Sequence, residues 1–152
     1  MKRLGFILMS ALFMISTSVL AADGLISIKS PYSAQQTMIK LENAVKAKGL
    51  KIFTKVDHTA GAKSVGQTLR PTSVLIFGNP KGGTPFMRCA QTIGIDMPLK
   101  ALVWKDKNSQ VWLSYNDPAY IGKRHHAENC PAIEKISNVL DQIGHTVTSR
   151  AP

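Results

Sequence analysis

"PLKALVWKDKNSQVWLSYND", residues 98–117, is the stretch on which the reading of this chain turns. Two runs rich in β-branched and aromatic residues, centred on Val103-Trp104 and Val111-Trp112, flank the polar turn Asp106-Lys107-Asn108-Ser109. Such runs, broken by a short turn, predict an antiparallel hairpin. Immediately before it, "TSVLIFG" (72–78) follows Pro71 and lacks polar alternation. That run predicts a central strand buried on both faces or lying at a sheet interface.

Upstream, "GLISIKSPYSAQQTMIKLENAVKAKGLKIF" (24–53) reads strand, helix, strand. Leu25, Ile26 and Ile28 form a short strand ended by Ser30-Pro31. Ser33 and Gln36 have the spacing of a capping box. Met38, Leu41 and Val45 then recur at helical spacing, and Gly49 stops the helix at its C′ position. Ile52, Phe53 and Val56 begin the next strand. The segment "VDHTAGAKSVGQTLRPT" (56–72) connects it onward through a short helical turn bracketed by Gly61 and Gly66.

Downstream, "PFMRCAQTIGIDMP" (85–98) holds a short helix ending near Gly94, and residues 118–123 a turn or short helix. "CPAIEKISNVLDQIGH" (130–145) is the last helix, with Ile133, Ile136, Leu140 and Ile143 as its buried stripe and Gly144 as its cap. The order β-α-β-β-β-β followed by a helix predicts an α+β fold, a two-layer sandwich with helices on one face of a mainly antiparallel sheet.

The first residues stand apart from this pattern. Lys2 and Arg3 precede a mostly apolar run from Leu4 to Leu20, and Val19-Leu20-Ala21 places small residues where a signal peptidase reads. Residues 1–21 are therefore expected to be a secretory signal peptide, residues 22–149 a single domain and 150–152 a loose tail. No later run is apolar for long enough to span a bilayer, so no membrane span is expected after cleavage, and the chain is placed in the periplasm or outside the cell. The formal net charge is +10, but the basic residues are scattered rather than massed. In an exported chain that pattern favours anionic surfaces or small anions over nucleic acid.

Two cysteines, Cys89 and Cys130, have neither CxxC nor metal-ligand spacing. In an oxidising compartment an even pair reads first as a disulfide, with two free thiols or an intermolecular bridge as the alternatives.

Four blocks in order, "DHTAGA", "LRPTSVLIFGNPKGGTPFM", "IDMPLKALVWKD" and "VWLSYNDPAYIGKRH", resemble the bacterial family of domain of unknown function 302. The resemblance covers roughly His58 to His125, with compatible patterning on either side. It implies a small α+β domain, often a homodimer, and supplies no reaction. The cysteines lie outside what the family's motifs require.

The chemistry centres on "FGNPKGGTPFM" (77–87). A phosphate-binding Walker loop needs its lysine after the last glycine, whereas Lys81 precedes Gly82-Gly83. What remains is a strand-to-helix turn that can also meet an anion. Thr84 can cap, Pro85 suits a first helical turn, and open N–H groups beside Lys81 favour negative charge. The turns after the strands give the candidate ligand residues Asn79, Lys81, Gly82, Gly83, Thr84, Asn116, Asp117, Arg124 and His125. A metal would call on His58 and His125 with a third ligand such as His126, Glu128 or Asp57. No hydrolase constellation stands out and no cofactor is called for. Three classes stay open. The first is a non-catalytic binding or accessory domain for a small, anionic ligand. The second is a metal- or thiol-dependent redox helper using His58, His125 or Cys89, and the third is a structural dimerisation module. An enzyme is the less favoured reading.

Overall fold

The computed structural model describes residues 20–22 and 24–150; most of the expected signal peptide, residue 23 and the last two residues of the expected tail lie outside the described residues. The strands are β1 (Leu20–Ala22), β2 (Leu25–Ser30), β3 (Lys51–Asp57), β4 (Thr72–Gly78), β5 (Leu99–Lys105) and β6 (Val111–Asn116). The helices are α1 (Ala34–Ala47), α2 (His58–Ser64), α3 (Pro80–Cys89), α4 (Pro118–Arg124) and α5 (Ala132–Thr148), with a 3₁₀ turn at Gln91–Ile95. Every strand pairing is antiparallel, in the order β1-β2-β6-β5-β4-β3. This is the expected α+β fold, an antiparallel sheet with its helical layer on one face.

The hairpin at 98–117 sits at the centre of that sheet, with Trp104 opposite Trp112 and Ala101 opposite Tyr115. Asp106 fixes its turn, accepting from the backbone N–H groups of Asn108 and Gln110 at 2.8 and 2.9 Å. The pleat then divides the side chains. Leu75 and Phe77 of β4, Leu99, Ala101 and Val103 of β5, and Val111, Leu113 and Tyr115 of β6 are buried in one core with Met38, Leu41 and Val45 of α1 and Ile136, Leu140 and Ile143 of α5. The same alternation sends Val74, Ile76, Leu102, Trp104, Trp112 and Ser114 to the opposite face.

Polar groups on that second face are satisfied locally. The Trp104 indole N–H donates to the Ser114 hydroxyl at 2.8 Å, Ser114 meets Ser27 at 2.7 Å, and the Trp112 N–H donates to Asp106 at 2.9 Å. The two indoles stack at 6.1 Å between centroids.

The capping box of α1 forms as the sequence predicts: Ser33 accepts from the Gln36 N–H, and Gln36 reaches back to the Ser33 N–H. Gly49 follows with φ +67°, the left-handed conformation that glycine adopts without strain.

Five local expectations are corrected. β4 is an interior strand between β3 and β5, but it lies one strand in from the edge and its second face is half-buried rather than buried. The 56–72 segment opens with the last two residues of β3 and enters α2 at His58, so Gly61 is inside a helix rather than before one. The helix expected from residue 85 starts at Pro80, capped by Asn79, and ends at Cys89; the rest of the segment is the 3₁₀ turn. α5 continues through Gly144 and past residue 145, its expected end, to Thr148. Gly144 serves packing instead of capping, since a Cβ there would stand 2.7 Å from the Ile28 Cδ1. The helix can therefore lie close on β2.

Candidate functional site

The antiparallel register assigns the candidate residues to two ends of the sheet. His58 opens α2 just after Asp57, and Asp57 pairs with Ser73, itself opposite Val103 near the end of β5. His125 ends α4, and its ring meets Asp96, before the start of β5. The seven residues of β5 separate these ends by roughly 20 Å at about 3.3 Å per residue. The expected His58–His125 pair is thus not brought together. Among the described residues no group of three or more His, Cys, Asp or Glu side chains is placed to hold a metal ion.

His125 is committed elsewhere. One ring nitrogen meets the Asp96 carboxylate at 2.7 Å and the other the Thr92 hydroxyl at 2.9 Å, while Arg124 donates to the second Asp96 oxygen at 3.1 Å. The imidazole is nearly buried, at 8% exposure. The sequence of hydroxyl, imidazole and carboxylate has the order of an acid–base relay. Its position argues for a clamp, since it fastens the end of α4 to the 3₁₀ turn and uses both ring nitrogens. Thr92 lines neither of the cavities described below. Asn116 and Asp117 also have structural roles. Asn116 ends β6 opposite Leu25, and Asp117 caps α4 by accepting from the Ala119 N–H at 2.9 Å.

The stretch 79–84 is the first turn of α3 rather than an open loop. The Lys81 N–H donates to the Asn79 side chain at 2.8 Å, and the N–H groups of Gly82 and Gly83 both donate to the Asn79 carbonyl at 3.0 Å. The open backbone cradle expected for an anion is therefore occupied by the helix's own cap. What the turn does instead is form one wall of a cleft.

That cleft, of about 440 Å³, lies between α3 and α5. Gly78, Asn79, Gly82, Gly83 and Pro85 form one side, and Ala132, Ile136 and Val139 the other. Leu99 contributes from the start of β5, Met97 from the segment just before it, and Leu50 from the residue preceding β3. Cys89 and Cys130 also line it, with their sulfurs at disulfide distance, 2.10 Å, and their Cα atoms 5.9 Å apart. Among the described residues, two ammonium groups, Lys81 from α3 and Lys135 from α5, are the only ionisable side chains in its lining. A volume of a few hundred Å³ with mostly apolar walls and a few polar groups is the usual form of a small-molecule site.

One further group is perturbed, outside the cleft. Burial and the Asp141 carboxylate, which accepts from the phenol at 2.9 Å, push the Tyr115 hydroxyl well above its usual range.

The family described as "Domain of unknown function DUF302" matches residues 26–143. This chain belongs to that family. Its fold matches the crystal structure of an uncharacterized conserved DUF302 protein from Bacillus stearothermophilus, with a TM-score of 0.67 over 84% of this chain and 97% of that one, at 17% identity. Among curated proteins, it is 45% identical over 103 residues to Fluoride-specific ion channel FluC 1 of Brucella suis biovar 1 and to FluC 1 of Brucella abortus biovar 1. The match takes in 68% of this chain but only 41% and 38% of those relatives' lengths. Among the described residues of this DUF302 chain, no helix is long and apolar enough to cross a membrane.

Sequence reasoning missed Lys135, Met97 and Asp96. Asp96 and Met97 stood inside the block "IDMPLKALVWKD", which was the available signal. Lys135 gave none, because a lysine on the last helix reads as solvated until α3 is seen to lie across from it.

Proposed function

We propose that this chain is an exported, non-catalytic binding domain whose cleft between α3 and α5 takes a small molecule with an apolar body and an anionic head. One observation carries the reading: the cleft is walled by aliphatic side chains and carries two lysines, with no carboxylate in its lining. Apolar walls favour transfer of hydrocarbon from water at about 25 cal/mol per Å² buried. An ammonium at a low-dielectric rim attracts an anion more strongly than one in open water. The anion contact thus passes from the backbone N–H groups to the Lys81 and Lys135 side chains. Isothermal titration of the oxidised protein with dodecanoate tests it. Binding should weaken about tenfold in the Lys81→Ala/Lys135→Ala double variant, with salt competing. Absence of heat, or affinity unchanged in the double variant, would refute the reading.

Compartment belongs to the same proposal. The paired cysteines fit an oxidising space, and periplasmic material should begin at Ala22 if the leader is cleaved as the sequence predicts. The fluoride-specific channels that share this sequence are much longer than the matched region, so the domain fits an accessory part of a larger protein. Channel activity is not assigned to it.

A second reading rests on the sheet's other face. Val56, Val74, Ile76, Leu102 and Trp104 follow one another across β3, β4 and β5 with no described helix over them. This face is proposed as the surface of a homodimer. Light scattering at micromolar concentration should give twice the chain mass, and Ile76→Glu should halve it; a monomeric mass for the native chain removes this reading.

A further inference from the structure

A second cavity, of about 260 Å³, lies on the other side of α3, with Phe53, Met87 and Pro98 in its lining. The two cavities share Gly78, Asn79, Gly83 and Met97. They are therefore two sides of one thin wall. Along α3, Lys81, Gly82, Pro85 and Cys89 line the first cavity, whereas Pro80, Thr84 and Met87 line the second. Gly83 lines both, because it lies on the underside of the helix.

What fills the wall at that point is Met97. A Cβ added at Gly83 would stand 3.1 Å from the Met97 Cε, closer than ordinary van der Waals contact. Glycine is a poor residue for a helix interior, and here the lack of a side chain makes room for the methionine's terminal methyl. Methionine is unbranched with three rotatable bonds, so its end moves more readily than a branched side chain would.

We propose that Met97 is a gate, and that its rotation joins the two cavities into one apolar channel passing beneath α3. The ligand class that fits is a straight-chain alkyl carboxylate. Its head lies by Lys81 and Lys135, which line only the first cavity, and its tail passes Met97 toward Phe53 and Met87. Gly83 and Met97 then set the chain length accepted. This inference rests on the cleft being a binding site, as proposed above.

The test compares octanoate with hexadecanoate by isothermal titration, using the oxidised native chain and the variants Gly83→Ala and Met97→Ala. Octanoate occupies the first cavity, which Gly83 and Met97 also line, so its change in each variant is the reference against which hexadecanoate is read. Hexadecanoate needs the passage. Gly83→Ala places a methyl group in the passage and should weaken it at least tenfold relative to octanoate, whereas Met97→Ala opens the passage and should strengthen it relative to octanoate. If both carboxylates bind the native chain but respond alike to each variant, the gate is refuted while the cleft stands. If neither binds the native chain, the cleft reading and the gate fail together. The two substitutions push in opposite directions, so either decides the question if the other does not fold.

Discussion

Removing the Cys89–Cys130 bridge should lower stability by an amount set by chain length rather than by contacts. The cysteines are 41 residues apart in sequence and their Cα atoms lie 5.9 Å apart, within the span a disulfide bridges without backbone movement. In the chain-entropy account, cross-linking a loop of that length withdraws freedom from the unfolded chain worth about 4 kcal/mol at 25 °C. With a urea dependence of about 2 kcal/mol per molar, the unfolding midpoint should fall by about 2 M. The assay is urea unfolding followed by tryptophan fluorescence on the oxidised native chain, the reduced native chain and the Cys89→Ala/Cys130→Ala variant. Reduced chain and variant should agree closely, the variant lying slightly lower because Cys130 is buried at 7% exposure and loses its sulfur from the core. Midpoints within about 0.3 M of the oxidised chain, well inside a shift of this size, would refute the argument. So would two titratable thiols in the unfolded, unreduced protein.

Three further outcomes follow from the core and the clamp. Because burial and Asp141 favour the neutral Tyr115 phenol in the folded state, stability is held below the ordinary tyrosine pKa near 10 and declines as pH rises above it. Tyr115→Phe should cost about 1–2 kcal/mol at neutral pH and lose that part of the alkaline decline, read from chemical unfolding at several pH values. Gly144→Val should destabilise by about 1–3 kcal/mol, because its side chain meets the Ile28 Cδ1, which lies 2.7 Å from where a Cβ would stand; a rise in melting temperature would show that α5 gains more in helix propensity than it loses in packing. His125→Ala should cost about 1–3 kcal/mol through its lost bonds to Asp96 and Thr92, and faster amide exchange should be confined to the 3₁₀ turn and the end of α4.

Periodicity and turn chemistry made the sheet and its main helices legible, because both act over a few residues. The hairpin around Asp106, the capping box at Ser33 and the apolar stripe of α5 all formed as their local pattern demanded. What failed was position within the sheet. The run Val74-Leu75-Ile76-Phe77 is apolar at every step, but β4 has only β3 beyond it, and composition does not say where in a sheet a strand will lie. The site was half legible for the same reason. The stretch 79–84 reads as strand-to-helix and leads from β4 into α3, yet its N–H groups read as open because the local pattern places the helix start five residues later. The opposing wall comes from α5, some 50 residues away in sequence, and no local signal brings Lys135 to Lys81.

α3 shows how these levels depend on one another. Its sequence is a poor helix: Gly82 and Gly83 each disfavour it by about 1 kcal/mol relative to alanine, and Pro85, inside the helix, cannot donate to the carbonyl one turn back. Local propensity would leave this segment as a loop, and that is how it reads in isolation. Three contacts from outside the segment's own propensity hold it. Asn79 occupies the first N–H groups, Phe86 is wholly buried in the core, and Cys89 ties the last residue to Cys130 at the entrance of α5. The same glycines that weaken the helix open the space occupied by Met97, and the same bridge that holds its end also lines the cleft. Stability and binding are therefore coupled through one ten-residue element. Reduction should loosen α3 before it unfolds the sheet, so dodecanoate affinity should fall in the reduced chain under conditions where far-ultraviolet circular dichroism still reports a folded protein. Equal affinity in the oxidised and reduced chains would show that Asn79 and Phe86 hold the wall without the bridge.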